Sequence, residues 1–230
     1  MKHQSLPLKL FALVACLMCA LGASAYDFES NGIYYNITGS NTVEVTKRLT
    51  YSGGYSGAVT IPSTVTNGGK TYTVTRVGKE AFRSDGNLTS VNLPTTIEVI
   101  DSAAFFYTKG LKSINFPEGL KRIAYSNFYH IDSLATVVLP STLLSIEHEC
   151  FNFCSNLSSV TCLATTPPAA DYLSFYVLAD DCALYVPEGS VVAYAAAEGW
   201  NNISHINPDG NEAYACYTSD NTTLTFYYDD

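Results

Sequence analysis

Basic residues are scarce in this chain: twelve Lys and Arg stand against 21 Asp and Glu, for a formal net charge of −9. Two of the twelve, Lys2 and Lys9, lie in an N-terminal leader, so the rest carries ten against 21, a net of −11. A surface of that sign repels phosphate backbones and anionic membranes, which sets nucleic acid aside as a partner. Long apolar runs are missing as well. Past the leader, no stretch approaches the roughly 18 apolar residues that a membrane span needs, so no integral span is expected in the mature chain. Past the leader there is no Cys-x-x-Cys pair, and the chain has no His-Glu-x-x-His, no Gly-rich phosphate loop and no Gly-x-Ser-x-Gly elbow. Neither a metal nor a cofactor is therefore expected. Charged residues make up only 14% of the chain, and the polar remainder is rich in Ser, Thr, Asn and 17 Tyr. That mixture suits β structure and a recognition surface better than a helical enzyme.

What is present is a repeat. Leu88, Leu111, Leu134 and Leu157 fall 23 residues apart, and the same step carries Val91 to Ile114, Val137 and Val160. It also carries Pro94 to Pro117 and Pro140, Ile100 to Ile123 and Ile146, and Phe105 to Phe128 and Phe151. A fixed period of this length marks a solenoid, whose units cannot bury their apolar faces alone and must stack. The alternation Val91-Asn92-Leu93 reads as a short strand with its apolar residues inward, stopped by Pro94. Stacking would lay these strands side by side in a parallel sheet. Val59, Ile61 and Pro62 precede their counterparts by 32 residues rather than 23, and the nine extra residues around Asn67-Gly68-Gly69-Lys70 predict a small hairpin.

The flanks are read in the same way. Residues 1–25 form a signal peptide: a basic start, an apolar run from Leu10 to Leu21, and the small-residue site Ala23-Ser24-Ala25. A rival reading takes Leu13-Val14-Ala15-Cys16 as a lipoprotein box with a lipid anchor on Cys16. Residues 26–57 predict an N-terminal β cap, a hairpin turning at Gly39-Ser40-Asn41, because an open solenoid end needs covering. Repeats are assigned to 58–164 and fade after Asn156. A C-terminal cap follows at 165–206, with a strand at Cys182–Pro187, a short helix from Ser190 to Glu198 and Gly199 as its left-handed stop. Residues 207–230 are read as a linker and the start of a further β module or tail.

The unit L-x-S-[VI]-x-[LF]-P, continued through Ile and the pairs Ala81-Phe82 and Ala104-Phe105 to Cys154, resembles the BspA-like leucine-rich repeat of bacterial surface proteins. Asn127-Phe128 departs from the Ala-Phe pair, and a locally looser turn is expected there. The resemblance implies a mostly β (α+β) leucine-rich-repeat solenoid with parallel strands, an N-terminal β-hairpin cap and a C-terminal strand-helix cap. It further implies a secreted or cell-surface, non-catalytic adhesion protein whose partner is a protein or glycan of a host or neighbouring cell. An alternative is a structural spacer displaying downstream modules. Alternation along the repeat strands puts Thr60, Asn92, Asn115, Val138 and Thr161 in one outward row, the expected binding face, while Tyr107, Tyr125 and Tyr129 on the other side are a second possibility. A remote third reading is a Cys-dependent hydrolase built on His148 and Cys150, but Cys150 occupies the small buried column of Ala81 and Ala104. The pairing of Cys150, Cys154, Cys162, Cys182 and Cys216 stays open; five thiols cannot all pair within one chain.

Overall fold

In the computed structural model the described residues are 26–48, 54–203, 205–208, 213–217 and 224–228, with 208 and the last two stretches described as backbone. The leader and the Cys16 anchor reading lie outside them. The strands are β1 (Phe28–Ser30), β2 (Ile33–Ile37), β3 (Thr42–Thr46), β4 (Gly57–Thr60), β5 (Thr64–Asn67) and β6 (Lys70–Val77). Next come β7 (Leu88–Asn92), β8 (Val99–Ile100), β9 (Ser113–Ile114), β10 (Arg122–Ile123), β11 (Thr136–Leu139) and β12 (Ser145–Ile146). The series closes with β13 (Ser159–Cys162), β14 (Ala183–Val186), helix α1 (Val191–Ala196), β15 (His205–Pro208), β16 (Ala213–Tyr217) and β17 (Leu224–Tyr228).

One unit explains the rest. In the unit that begins at Leu88, β7 turns Leu88 and Val91 inward, Pro94 follows, and β8 brings Ile100 to the core. Linked turns then carry buried Ala104 and Phe105 and return the chain to Leu111. Each unit is thus a coil with three sides. On the first side β4, β7 and β9 pair in parallel, and β11, β13, β14 and β15 do so further along. On the second, β6, β8, β10 and β12 pair in parallel, with Val77, Ile100, Ile123 and Ile146 in register. Sequence periodicity led us to expect one sheet; the second was hidden because each of its repeat strands contributes only two residues.

The third side is a ladder of turns. The Phe82 N–H donates to the Ala104 carbonyl at 2.7 Å, Phe128 to Cys150 at 2.7 Å, and Phe151 to Ser174 at 2.9 Å. These turns hold nine non-glycine residues in the left-handed region, in two columns: Glu80, Ala103, Ser126, Glu149 and Ser84, Tyr107, His130, Phe153, Val177. Such a conformation costs roughly 1–2 kcal/mol per residue, so the inter-unit ladder must hold it. Inside, Phe82, Phe105, Phe128 and Phe151 stack in one fully buried file with centroid spacings of 5.0, 5.2 and 5.0 Å. The file runs further than the sequence suggested. Phe175 stacks on Phe151 at 5.3 Å from one residue beyond the 23-residue step, and Tyr55 and Trp200 close its ends at 4.6 and 4.8 Å.

Asn127 does not loosen its turn. Fully buried, its amide nitrogen donates to the Ala124 carbonyl at 2.7 Å and the Asp101 carbonyl at 2.9 Å, and its oxygen accepts from the Ala104 N–H at 3.1 Å. In the same column, the Cys150 thiol donates to the Ala124 carbonyl at 3.0 Å and Ser174 Oγ to the Glu147 carbonyl at 3.3 Å. This column therefore changes from filling space to binding turn carbonyls.

At the N-terminal end β1, β2 and β3 form an antiparallel meander, and β3 joins β6 in parallel. β5 and β6 are the expected hairpin, turning through Gly68 and Gly69 at φ +57° and +79°. The Tyr55 hydroxyl donates to the Thr46 carbonyl at 2.8 Å and accepts from the Tyr34 N–H at 3.0 Å, while Asp85 accepts from the Tyr55 N–H at 3.0 Å. At the other end the helix is shorter than expected: α1 ends at Ala196 with an extended Ala197 after it, and Gly199 at φ +79° opens a 3-10 turn over Trp200–Asn202 rather than stopping α1. A Cβ on Gly199 would lie 2.3 Å from the Asp171 carbonyl oxygen. Trp200 Nε1 donates to the Pro168 carbonyl and the Tyr194 hydroxyl to the Ala164 carbonyl, each at 2.7 Å. The expected linker starts inside a strand: Asn207 and Pro208 pair with Tyr185 and Val186, and β16 and β17 continue that same sheet antiparallel. No helix among the described residues is long and apolar enough to cross a membrane.

Truncating Phe128 to Ala should cost about 3–5 kcal/mol in urea denaturation. Asn127→Ala should cost about 1–3 kcal/mol, although Ala fills that column in neighbouring units, because buried carbonyls lose their donor. A loss below 0.5 kcal/mol would show that the Asn127 bonds carry no net weight. Burial pushes the Asp85 carboxyl up to about 6, against a lowering by the Tyr55 N–H. A raised acid binds its proton more tightly when folded, so its contribution is complete below pH 3.8 and is lost as pH rises through about 6. Melting temperatures of wild type and Asp85→Asn should therefore diverge across that window, with the variant ahead at pH 7; parallel curves would refute the assignment.

Candidate functional site

The first outward surface is the strand row. Thr60 pairs with Asn92, Val138 with Thr161, and Thr161 with Tyr185, so their side chains share one side of the sheet. Thr60, Asn92 and Val138 are exposed, Val138 by 53%, and Thr161 is half-buried. Asn115 is exposed but already engaged: its oxygen accepts from the Leu93 N–H at 2.6 Å and its amide donates to the Leu93 carbonyl at 2.9 Å. The side chain replaces a peptide group where β9 stops after two residues, which explains the short strand. Tyr185, exposed in the same row beyond Thr161, was missed because the 23-residue step ends before it.

The turn side carries a second surface, made of rings. Tyr107, Tyr125, Phe153, Tyr172 and Tyr176 are exposed there, Tyr172 by 60%. They do not stand singly. Phe106 stacks on Tyr129 at 5.1 Å, Tyr125 on His148 at 5.7 Å, and Tyr129 meets Phe153 edge-on at 5.4 Å. Tyr107, Tyr125 and Tyr129 border one cleft of about 420 Å³ with Phe106, Ala103, Ser126, Arg83 and Glu149. Burial, followed by the charge of Glu149, raises the Tyr129 hydroxyl above its ordinary value, so it remains a hydrogen-bond donor at neutral pH.

Charges on this side are largely spent on one another. Glu80 binds Lys47 and Arg83, Lys109 binds Asp132, and His148 Nδ1 lies 2.7 Å from Asp171 Oδ2. Arg83 covers the Phe106 ring at 4.8 Å and Lys109 the Tyr107 ring at 5.1 Å.

The BspA-type leucine-rich repeat region matches residues 75–176 in six copies. The repeat block belongs to this family. A leucine-rich repeat protein from Bacteroides ovatus is similar at 26% identity and a TM-score of 0.58, over 79% of this chain and 47% of its own. The T. pallidum leucine-rich repeat protein shares the fold at 24% identity and a TM-score of 0.60, over 79% of this chain and 83% of its own. The pneumococcal vaccine antigen PcpA does so at 20% identity and a TM-score of 0.52, over 87% of this chain and 56% of its own. This chain thus spans about half the length of the B. ovatus and pneumococcal proteins. No curated protein matches it.

Within the BspA-type block, Cys154 has a structural task. Its thiol donates to the Phe128 carbonyl at 2.9 Å, as the Thr108 hydroxyl does to the Phe82 carbonyl at 2.8 Å. Cys150, Cys154, Cys162 and Cys182 are free and buried, and the Cys216 side chain lies outside the described residues. Burial raises all four thiols, Cys154 and Cys182 to about 12. His148 and Cys150 do not form a nucleophile pair: the thiol bonds to Ala124 in the core, whereas the imidazole lies half-buried against Asp171 and Tyr125. No cluster of three His, Cys, Asp or Glu suited to a metal occurs among the described residues.

In the folded protein at pH 8, these four thiols should resist alkylation and label fully in denaturant, as read by peptide mass spectrometry. Native labelling of Cys150 at the rate of a free thiol would return it to consideration as a nucleophile.

Proposed function

We propose that this chain is an extracytoplasmic binding scaffold, non-catalytic, which holds a protein or glycan of a host or neighbouring cell against its solenoid. The carrying observation is the run of exposed rings on the turn side, from Tyr107 and Tyr125 to Tyr172 and Tyr176. The core needs none of them, since Phe105, Phe128, Phe151 and Phe175 already fill it. An exposed apolar surface maintained beside a satisfied core is the usual mark of a contact site. The signal-like leader, the acidic surface and the kinship of the repeats with bacterial leucine-rich repeat proteins support a role outside the cytoplasm.

A second contact surface is the strand row, favoured by Val138 and Tyr185, large apolar side chains standing out on either side of Thr161. Thr60, Asn92 and Thr161 would add hydrogen bonds, while Asn115 would hold the sheet rather than the ligand.

Immobilised extracellular-matrix proteins and oligosaccharides, probed with the purified chain by biolayer interferometry, should capture it. Capture should fall at least five-fold with either Tyr125→Ala and Tyr176→Ala together or Asn92→Asp and Val138→Asp together, with circular dichroism unchanged. Folded wild type that no probe captures, or capture that both double variants leave intact, would refute the scaffold reading.

A further inference from the structure

The turn-side cleft has features that narrow the ligand. Tyr125 stacks on His148 with one face, at 5.7 Å and 7° between planes. The preceding residue in its column is Ser102, 23 positions earlier and too small to cover a ring. Among the described residues no other ring or cation lies on Tyr125, so its second face carries neither; the residue is 47% exposed and borders the cleft. Tyr107 and Tyr129 border the same cleft. Glu149 borders it with a carboxylate whose Oε2 accepts from Ser126 Oγ at 3.2 Å. A cleft of about 420 Å³ falls within the roughly 300–1,000 Å³ usual for small-ligand sites.

Three considerations choose the chemistry. First, the backbone on this side is occupied: Ala103 N donates to Tyr125 O, Tyr107 N to Tyr129 O and Ser126 N to His148 O. An extended peptide would find no strand edge to pair with. Second, the cleft's own charges, Arg83 and Glu149, balance, and Arg83 is engaged by Glu80, which leaves no excess of positive charge to hold an anionic ligand. Third, one open ring face in a cleft bordered by further tyrosines and a carboxylate suits a molecule that is apolar on a flat side and hydroxylated around its rim. A pyranose has that form, presenting C–H groups on a face and hydroxyls at its edge.

We propose that this cleft is a glycan subsite, in which a neutral pyranose lies on the open face of Tyr125 and hydrogen-bonds to the tyrosine hydroxyls and Glu149. The assignment rests on the scaffold reading and specifies its ligand and its location. Successive units place their stacked rings about 5 Å apart in the core file, and a comparable advance per sugar lets an extended chain run along the turn side past Tyr125.

Saturation-transfer NMR on the purified chain tests this, with neutral oligomers of N-acetylglucosamine, glucose, mannose and galactose as probes and sialyllactose as the acidic contrast. At least one neutral oligomer should receive saturation on its ring C–H protons. Its affinity should fall at least ten-fold with Tyr125→Ala and stay within three-fold with Tyr125→Phe. Melting temperatures confirm that each variant is folded. Lack of transfer to every neutral probe at millimolar concentration overturns the proposal, as does unchanged affinity in Tyr125→Ala or a preference for sialyllactose. Capture of a matrix protein sensitive to Asn92→Asp and Val138→Asp, without neutral-glycan binding, overturns it while leaving the scaffold reading in place.

Discussion

A 23-residue coil has too little interior to bury its own apolar residues, and this structure is organised by that deficit. The remedy is the stack of Phe82, Phe105, Phe128, Phe151 and Phe175, in which each ring is covered by the ring of the next unit. Offset or parallel ring pairs add about 0.5–1.5 kcal/mol each beyond the area they bury. Both ends of such a file need a terminator. Tyr55 and Trp200 serve, each tying its ring to backbone through a polar tip, Tyr55 to Thr46 and Trp200 to Pro168.

Stacking also makes an otherwise unfavourable backbone tenable. Two left-handed residues per unit, none of them glycine, are held because their turns hydrogen-bond to the equivalent turns of neighbouring units. The buried column before each Phe shows a second use of the same contact. Where Ala gives way to Asn127, Cys150 and Ser174, the new polar atom satisfies a turn carbonyl of the preceding unit, that of Asp101, Ala124 and Glu147 in turn. The polar side chains of this column are therefore couplings between units rather than defects.

With the interior and the backbone accounted for, the outer side chains are released from structural duty. On the second sheet they form a chain of ion pairs, Arg76 to Asp101 to Arg122 to Glu147, partly exposed and of modest worth. On the strand row they are small and hydrogen-bonding apart from Val138 and Tyr185. On the turn side, rings, hydroxyl-bearing residues and a carboxylate border one cleft, the place proposed for a ligand.

The period, the inward columns and the hairpin at Gly68-Gly69 could all be read from residue spacing, since each depends on chemistry within a few neighbouring positions. The strand row was legible too, because alternation along a strand sets its direction. The spent amide of Asn115 and the buried network of Asn127 were not, for both depend on which peptide group of an adjacent unit lies within bonding distance. Phe175 escaped the 23-residue step by one position, and its place in the file follows from the stacking rather than from the count. Sequence alone determined that equivalent residues recur and which of them avoid water, because periodicity and hydropathy are properties of the chain. Tertiary structure alone decided that the open face of Tyr125, the carboxylate of Glu149 and two further tyrosines share one cleft, because residues of different units meet only after the coil has wound back on itself.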